Sequence, residues 1–231
     1  RRVLFRSIYN ANGTLTVQNK KFTPPQSLVN ALETTDYSFS LVNWDPDLYN
    51  VMLESEKFVS ALGKGDDLDG IITIDISFIQ KLLDQWGGIE VPGESELITS
   101  ENMYSKIFEM HEDFTPGSDR KSTFLANLAN EIVTKLLSSD FQQYKEIISV
   151  FEESLDEKHL QLVFKNTAAT RFVDSHNWDG QLDSKYVSAP ILIDWNWGAN
   201  TANIYIQRDH NLDIDIEETD ITYSYEVNVD T

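Results

Sequence analysis

The segment that most constrains this chain is Gly70-Ile71-Ile72-Thr73-Ile74-Asp75, followed by a helix-period run from Ser77 to Trp86 and then by Gly87-Gly88-Ile89-Glu90-Val91. A short, nearly continuous apolar run bounded by Gly and Asp reads as a strand buried on both faces. In the run that follows, Ile79, Leu82, Leu83 and Trp86 share one side of a helix, and Gly87 supplies the left-handed residue that ends it. Ile89-Glu90-Val91 then begins another strand before Pro92-Gly93. Strand, helix and strand in that order predict a right-handed βαβ unit and an α/β fold.

The rest of the chain supplies helices first and strands later. Asn12-Gly13 predicts the tight turn of a hairpin over 8–17, and Pro24-Pro25 marks a break. Asp45-Pro46 predicts a helix start, because Asp accepts from the first free N–H groups and Pro lacks one. That helix turns Leu48, Met52, Phe58, Val59 and Leu62 inward and ends near Gly63. Thr99 caps a helix through Met110, with Glu101 in its favourable first turn. Ser122 to Leu137 is amphipathic, and a second such run carries Phe141, Tyr144, Ile147, Ile148, Phe151 and Leu155. Strand patterns follow at 159–164, 191–193 and 204–206, and two alternating segments at 212–216 and 221–225 make the tail β-rich.

Composition narrows the function classes. Eighteen Lys and Arg against 38 Asp and Glu give a formal charge of -20, which argues against binding a nucleic-acid backbone. There is no cysteine, so disulfides, thiolate metal sites and thiol catalysis are excluded. No run of apolar residues is long enough to span a bilayer. At 41% hydrophobic the chain can build a core. Residues 1–7, Arg1-Arg2-Val3-Leu4-Phe5-Arg6-Ser7, are what AGA CGT GTG CTC TTC CGA TCT encodes, a string like a sequencing-adapter end, and are set apart from the fold. The expected organisation is then an N-terminally incomplete α/β domain over 8–186 and a β-rich segment over 187–231. That last segment is expected to begin, or link to, a following β domain.

The stretch Asp69 to Asp75, with Phe78, Leu82-Leu83 and Gly87-Gly88-Ile89-Glu90-Val91, resembles the central segment of the LytR-CpsA-Psr family. In that family an Asp-bearing strand, a helix and a Gly-Gly-Val strand occur in this order and spacing. Asp119-Arg120-Lys121 ahead of Thr123-Phe124-Leu125 resembles the family's basic motif at the start of its next long helix. This resemblance covers roughly residues 69–137. A second one, over most of residues 8–210, is to a bacterial envelope-associated family of unknown function, family 4012. It is carried by Asn43-Trp44-Asp45-Pro46-Asp47, Leu97-Ile98-Thr99-Ser100-Glu101-Asn102, Glu157-Lys158-His159-Leu160, Trp178-Asp179-Gly180 and Asp194-Trp195-Asn196-Trp197-Gly198-Ala199-Asn200.

The first resemblance implies a three-layer α/β arrangement on the outer face of the cell envelope, membrane-anchored in the full-length protein. It further implies transfer of glycopolymer from a polyprenyl-pyrophosphate carrier to the cell wall, with Mg²⁺ held by acidic residues. On the positions that match, Asp119, Arg120 and Lys121 bind phosphate and Asp75 is the catalytic candidate. The sequence departs from the pattern in two places. Tyr104-Ser105-Lys106-Ile107-Phe108-Glu109 holds no arginine pair, and Lys121 stands where the family has Gln. Arg120 and Lys121 together contribute about 3–6 kcal/mol, short of the roughly 8 kcal/mol of a micromolar complex.

Each remaining candidate carries a structural alternative. Asp75 either serves a site at a strand end or caps the next helix. Asp66, Asp67 and Asp69 form a cation site or a solvated turn, and His111-Glu112-Asp113 lacks the second histidine of a metal motif. His159 and His176 read as structural. Trp178, Trp195 and Trp197 stack on sugars or pack on the core. Two functions follow: an envelope phosphotransferase acting on polyprenyl-linked glycopolymer, or a non-catalytic surface binding or assembly module on the same fold that has lost the arginine clamp.

Overall fold

Strand β1 (Gly70–Ile74) pairs antiparallel with β2 (Leu160–Phe164), in the register Gly70↔Phe164 to Ile74↔Leu160. Two further backbone bonds extend the ladder: Lys165 N–H donates to the Asp69 carbonyl at 2.9 Å, and Asp75 N–H to the His159 carbonyl at 3.1 Å. This is a computed structural model that describes residues 22–61 apart from 34, 36 and 38, then 68–112, 120–182, 207–217 and 221–230. The helices are α1 (Gln26–Leu32), α2 (Leu48–Ala61), α3 (Ile76–Trp86), α4 (Ser100–Glu112), α5 (Arg120–Ser138), α6 (Phe141–Asp156) and α7 (Thr167–Ser175), with a 3-10 segment at Phe39–Trp44. A second antiparallel pair, β3 (Gln207–Ile216) and β4 (Ile221–Asp230), forms a ribbon. The fold is mixed α/β with a β-rich C-terminal segment.

The β1–β2 pair separates two cores. On one side Val163 and the half-buried Ile71, neighbours in register, meet Leu28, Tyr37, Val42, Leu48, Val51, Met52 and Phe58. Phe58 is the hub there, fully buried, with ring centroids of Phe22, Tyr37 and Phe39 at 4.2, 5.4 and 5.7 Å. On the other side Leu160 and Leu162 join Phe78, Leu82 and Leu83 of α3, Met103 of α4, Phe124, Leu128 and Ile132 of α5, and Ile147 and Leu155 of α6.

Helix ends follow the sequence closely. Gly87 ends α3 at φ +68°. Thr99 and Asn102 exchange side-chain and backbone bonds at the start of α4. Asp45 and Asp47 accept from the N–H groups of Asp47 and Tyr49, both at 2.8 Å, so α2 opens two residues later than the Asp45-Pro46 pair predicts. Leu48, Met52, Phe58 and Val59 are buried as expected.

Two expectations fail. Ile89 is not a parallel neighbour of β1: it bridges antiparallel to Ile98, each N–H donating to the other's carbonyl at 2.9 Å, across a turn with Gly93 at φ +95°. Closing that short local loop costs less chain entropy than a crossover, so the βαβ unit does not form. Nor is β1 buried on both faces. Its Ile72 and Ile74 are 62% and 51% exposed, because among the described residues only β2 pairs with it. The expected hairpin at 8–17 and strands at 191–193 and 204–206 lie outside the described residues.

Two predictions follow from the packing. A Cβ on Gly70 would stand 2.2 Å from the Val163 carbonyl oxygen, so Gly70→Ala must push the two strands apart. We expect a loss of about 1–3 kcal/mol in urea unfolding. Separately, burial first, and then the charge of Glu54 beside it, raise the Tyr37 phenol well above its ordinary value of 10.0. The unfolded chain ionises this group near its ordinary value while the folded chain keeps it neutral. Its stabilising contribution is therefore complete below pH 10 and falls as pH rises beyond that. Tyr37→Phe should flatten the alkaline side of the stability profile, read as urea midpoints between pH 8 and 11.

Candidate functional site

Asp75 leaves β1 and opens α3, and the two elements fix both of its oxygens. Its backbone is extended (φ -109°), and Oδ1 accepts from the Phe78 N–H at 3.1 Å as the helix N-cap. Oδ2 lies 2.7 Å from Nδ1 of His159, the residue that enters β2 directly opposite. The strand register makes this pair, bringing together residues far apart in the chain.

The charges continue along the surface. His159 Nε2 is 3.5 Å from Glu157 Oε2, and that oxygen is 2.5 Å from Lys81 Nζ. Lys81 Nζ is also 2.5 Å from Glu153 Oε1. Hydrogen bonds to Glu153 and then to Glu157 hold the Lys81 ammonium above its ordinary range. The network therefore joins α3, the end of α6 and the start of β2 through Asp75, His159, Glu157, Lys81 and Glu153. Asp75 remains half exposed (50% of its side chain), so this is a surface network in water, where each pair contributes about 0–1 kcal/mol. An imidazole against a carboxylate can pass a proton, but this carboxylate also caps the start of α3.

The phosphate candidates occupy the start of α5. Its backbone is helical from Arg120, two residues before the run that periodicity marks, and Lys121 follows in the first turn. Asp119 and the side chains of Arg120 and Lys121 lie outside the described residues. The same holds for Trp195, Trp197, Asp66, Asp67, Asp113 and the side chains of His111 and Glu112. Among the described residues, no group of three or more Asp, Glu or His is arranged to hold a metal.

Further along α5, Glu131 closes a groove of about 450 Å³ whose other wall is the turn from Glu90 to Leu97. Glu90, Glu94, Glu96 and Glu131 line it. Lys106 Nζ stands 2.5 Å from Glu96 and 4.0 Å from Glu94. The clustering of three glutamates is visible in the sequence; the approach of Glu131 is not, because it depends on how α5 packs.

Trp178 sits in a different environment. Its indole N–H donates to Asp156 Oδ1 at 2.7 Å, and its ring packs against the second core. His176 stacks on it, centroids 4.7 Å apart at 29°, and Phe172 meets it edge-on at 5.9 Å. His176 Nδ1 is in turn 2.8 Å from the Phe172 carbonyl. Next to it, burial and then the charge of Asp174 raise the Asp179 carboxyl above the usual carboxylate range. The trio presents Phe172, 56% exposed, and His176 to solvent, with Trp178 fixed behind them. Position 178 is legible from the sequence, but its two neighbours are not, because α7 is short and buries chiefly Val173.

Residues 3–110 match the model of a protein family of unknown function, DUF4012. The match spans just under half of the 231 residues and supports the resemblance to that family over the same stretch. Asp75 lies inside it; His159 and the aromatic trio lie beyond it. No curated protein and no solved structure matches the chain. No helix among the described residues is long and apolar enough to cross a membrane.

The capping geometry sets an expectation. Asp75→Ala removes both the cap and the contact with His159 and should lower stability by about 1–2 kcal/mol in urea unfolding. Asp75→Asn keeps a competent cap and loses only the pair, so its loss should stay below about 1 kcal/mol.

Proposed function

We propose that this chain is a non-catalytic binding module on the outer face of the cell envelope, contacting wall glycopolymer on a LytR-CpsA-Psr-like arrangement of helices about a sheet. One observation carries the reading: Asp75, the residue the resemblance offers for catalysis, has both oxygens committed, one to the α3 N-terminus and one to His159. The four glutamates of the groove beside α5 add to it, since they repel a pyrophosphate rather than grip one. For contact with polymer, the exposed rings of Phe172 and His176 offer flat apolar faces suited to sugar rings, backed by the anchored Trp178.

The start of α5 at Arg120 favours a second reading, an envelope phosphotransferase. There the free N–H groups of a 19-residue helix and two cations meet a lipid-linked pyrophosphate, with Mg²⁺ as cofactor.

Co-sedimentation with isolated, insoluble cell walls tests the first reading. We expect wall-dependent pelleting that Phe172→Ala and Trp178→Ala each reduce at least fivefold, and that Asp75→Asn leaves unchanged. A chain that stays in the supernatant at every wall concentration overturns it. A rise in melting temperature with geranyl pyrophosphate and Mg²⁺, lost in Arg120→Ala, establishes the second reading instead.

A further inference from the structure

The β3–β4 ribbon sorts its residues by face, Arg208 and His210 excepted. Five register pairs, Arg208↔Val229, His210↔Val227, Leu212↔Tyr225, Ile214↔Tyr223 and Ile216↔Ile221, share one face. The five alternate pairs place Gln207, Asp209, Asn211, Asp213, Asp215, Thr222, Ser224, Glu226, Asn228 and Asp230 on the other. The first face is apolar over its central and distal pairs and open to water: its eight apolar side chains are 39–72% exposed. The second is polar and acidic. A two-stranded ribbon is marginal in water on its own and gains stability when its apolar face is covered.

Charge indicates what covers it. The acidic face repels an acidic partner, and the chain as a whole carries -20, so a second copy can approach only with its apolar side inward. The ribbon is also asymmetric end to end. Arg208 and His210 hold register positions at one end, and the connection at the other reads Glu217-Glu218-Thr219-Asp220. A twofold axis lying between the faces, parallel to them and perpendicular to the strands, and passing over the central Leu212↔Tyr225 pair, stacks two apolar faces. It also sets the end of each copy that holds the Arg208 and His210 register positions over the end of the other that leads to Glu217. Both acidic faces then point outward, separated by the whole sandwich, whose sheets pack about 10 Å apart.

We propose that the β3–β4 ribbon is a self-association surface, on which two copies of this chain stack face to face as a small β-sandwich. The face measures about 33 by 10 Å, from roughly 3.3 Å per residue along each strand. That is less than half of the ~800 Å² per partner of a standard interface. The dimer is therefore weak and concentration-dependent.

The absence of cysteine makes the arrangement testable by cross-linking. Sedimentation velocity across a concentration series should show a reversible monomer–dimer equilibrium that Ile214→Asp abolishes and Asp213→Asn leaves in place. Because Ile214→Asp also weakens the ribbon itself, the second measurement uses single cysteines. Leu212→Cys, which faces its own copy across the twofold axis, should form an intermolecular disulfide under mild oxidation at least tenfold faster than Ser224→Cys on the polar face. A chain that stays monomeric throughout, with both cysteines equally slow to cross-link, overturns the proposal and assigns the cover of the apolar face to this chain itself. Equal, fast cross-linking at both positions overturns it as non-specific collision.

Discussion

The antiparallel pairing of β1 with β2 is the constraint on which the rest depends. Five register pairs, extended by Asp69–Lys165 and Asp75–His159, close a long loop between segments far apart in the chain. The entropy lost in closing such a loop grows only logarithmically with its length, so the helices between the strands can be long without greatly raising that loss. The pair has apolar residues on both sides. Val163 and Ile71 enter the core around Phe58, while Leu160 and Leu162 enter the core around Leu82 and Met103. Neither core is a closed unit without it. Gly70 sits against the Val163 carbonyl, and only a residue without a Cβ leaves that carbonyl in place.

The same ladder creates the Asp75–His159 pair, and this explains what could and could not be read from the chain. The cap was legible as one of two readings of Asp75, an Asp between an apolar run and a helix-period run, and its Oδ1 accepts from the Phe78 N–H. Its partner was not, because a lone histidine at a strand start carries no sign of which strand will lie alongside. Glycines and caps at 87 and 99 were legible for the same local reason. Ile89 was misread because an apolar triplet after a Gly-Gly pair fits a parallel strand and a local bridge equally well, and loop length decided between them. In α6 the periodicity holds two apolar stripes. Ile147 and Leu155 go inward, while Phe141 at 77% and Ile148 at 53% remain exposed. Spacing identifies a stripe but not the neighbour that covers it.

Helix α7 and the ribbon mark opposite limits of the same rule. Nine residues with one buried side chain make α7 short for a reading by period, and Asn166, which accepts from the N–H groups of Ala168 and Ala169, is the signal that announces it. The ribbon announces itself over ten register pairs by strict alternation, so its strands extend beyond the five residues apiece that the pattern first marks. Strong alternation specifies a face and a register.

The use of cations bears most directly on the class of function. With 18 Lys and Arg among 38 acids, any basic group left to grip a phosphate must first escape its own chain. Among the described lysines, Lys57 is engaged by Glu54, Lys81 by Glu153 and Glu157, Lys106 by Glu94 and Glu96, and Lys165 by Glu56. Lys158 donates to the Asp179 carbonyl. Lys135 donates to the Gly88 carbonyl and lies over Trp86, and Lys145 lies over Phe141. Recruiting any of these to a pyrophosphate means breaking such a contact and exposing a carboxylate or carbonyl beside the incoming anion. The net gain is then smaller than the bare strength of a charge-assisted bond suggests. These lysines are therefore poorly placed to hold an anion.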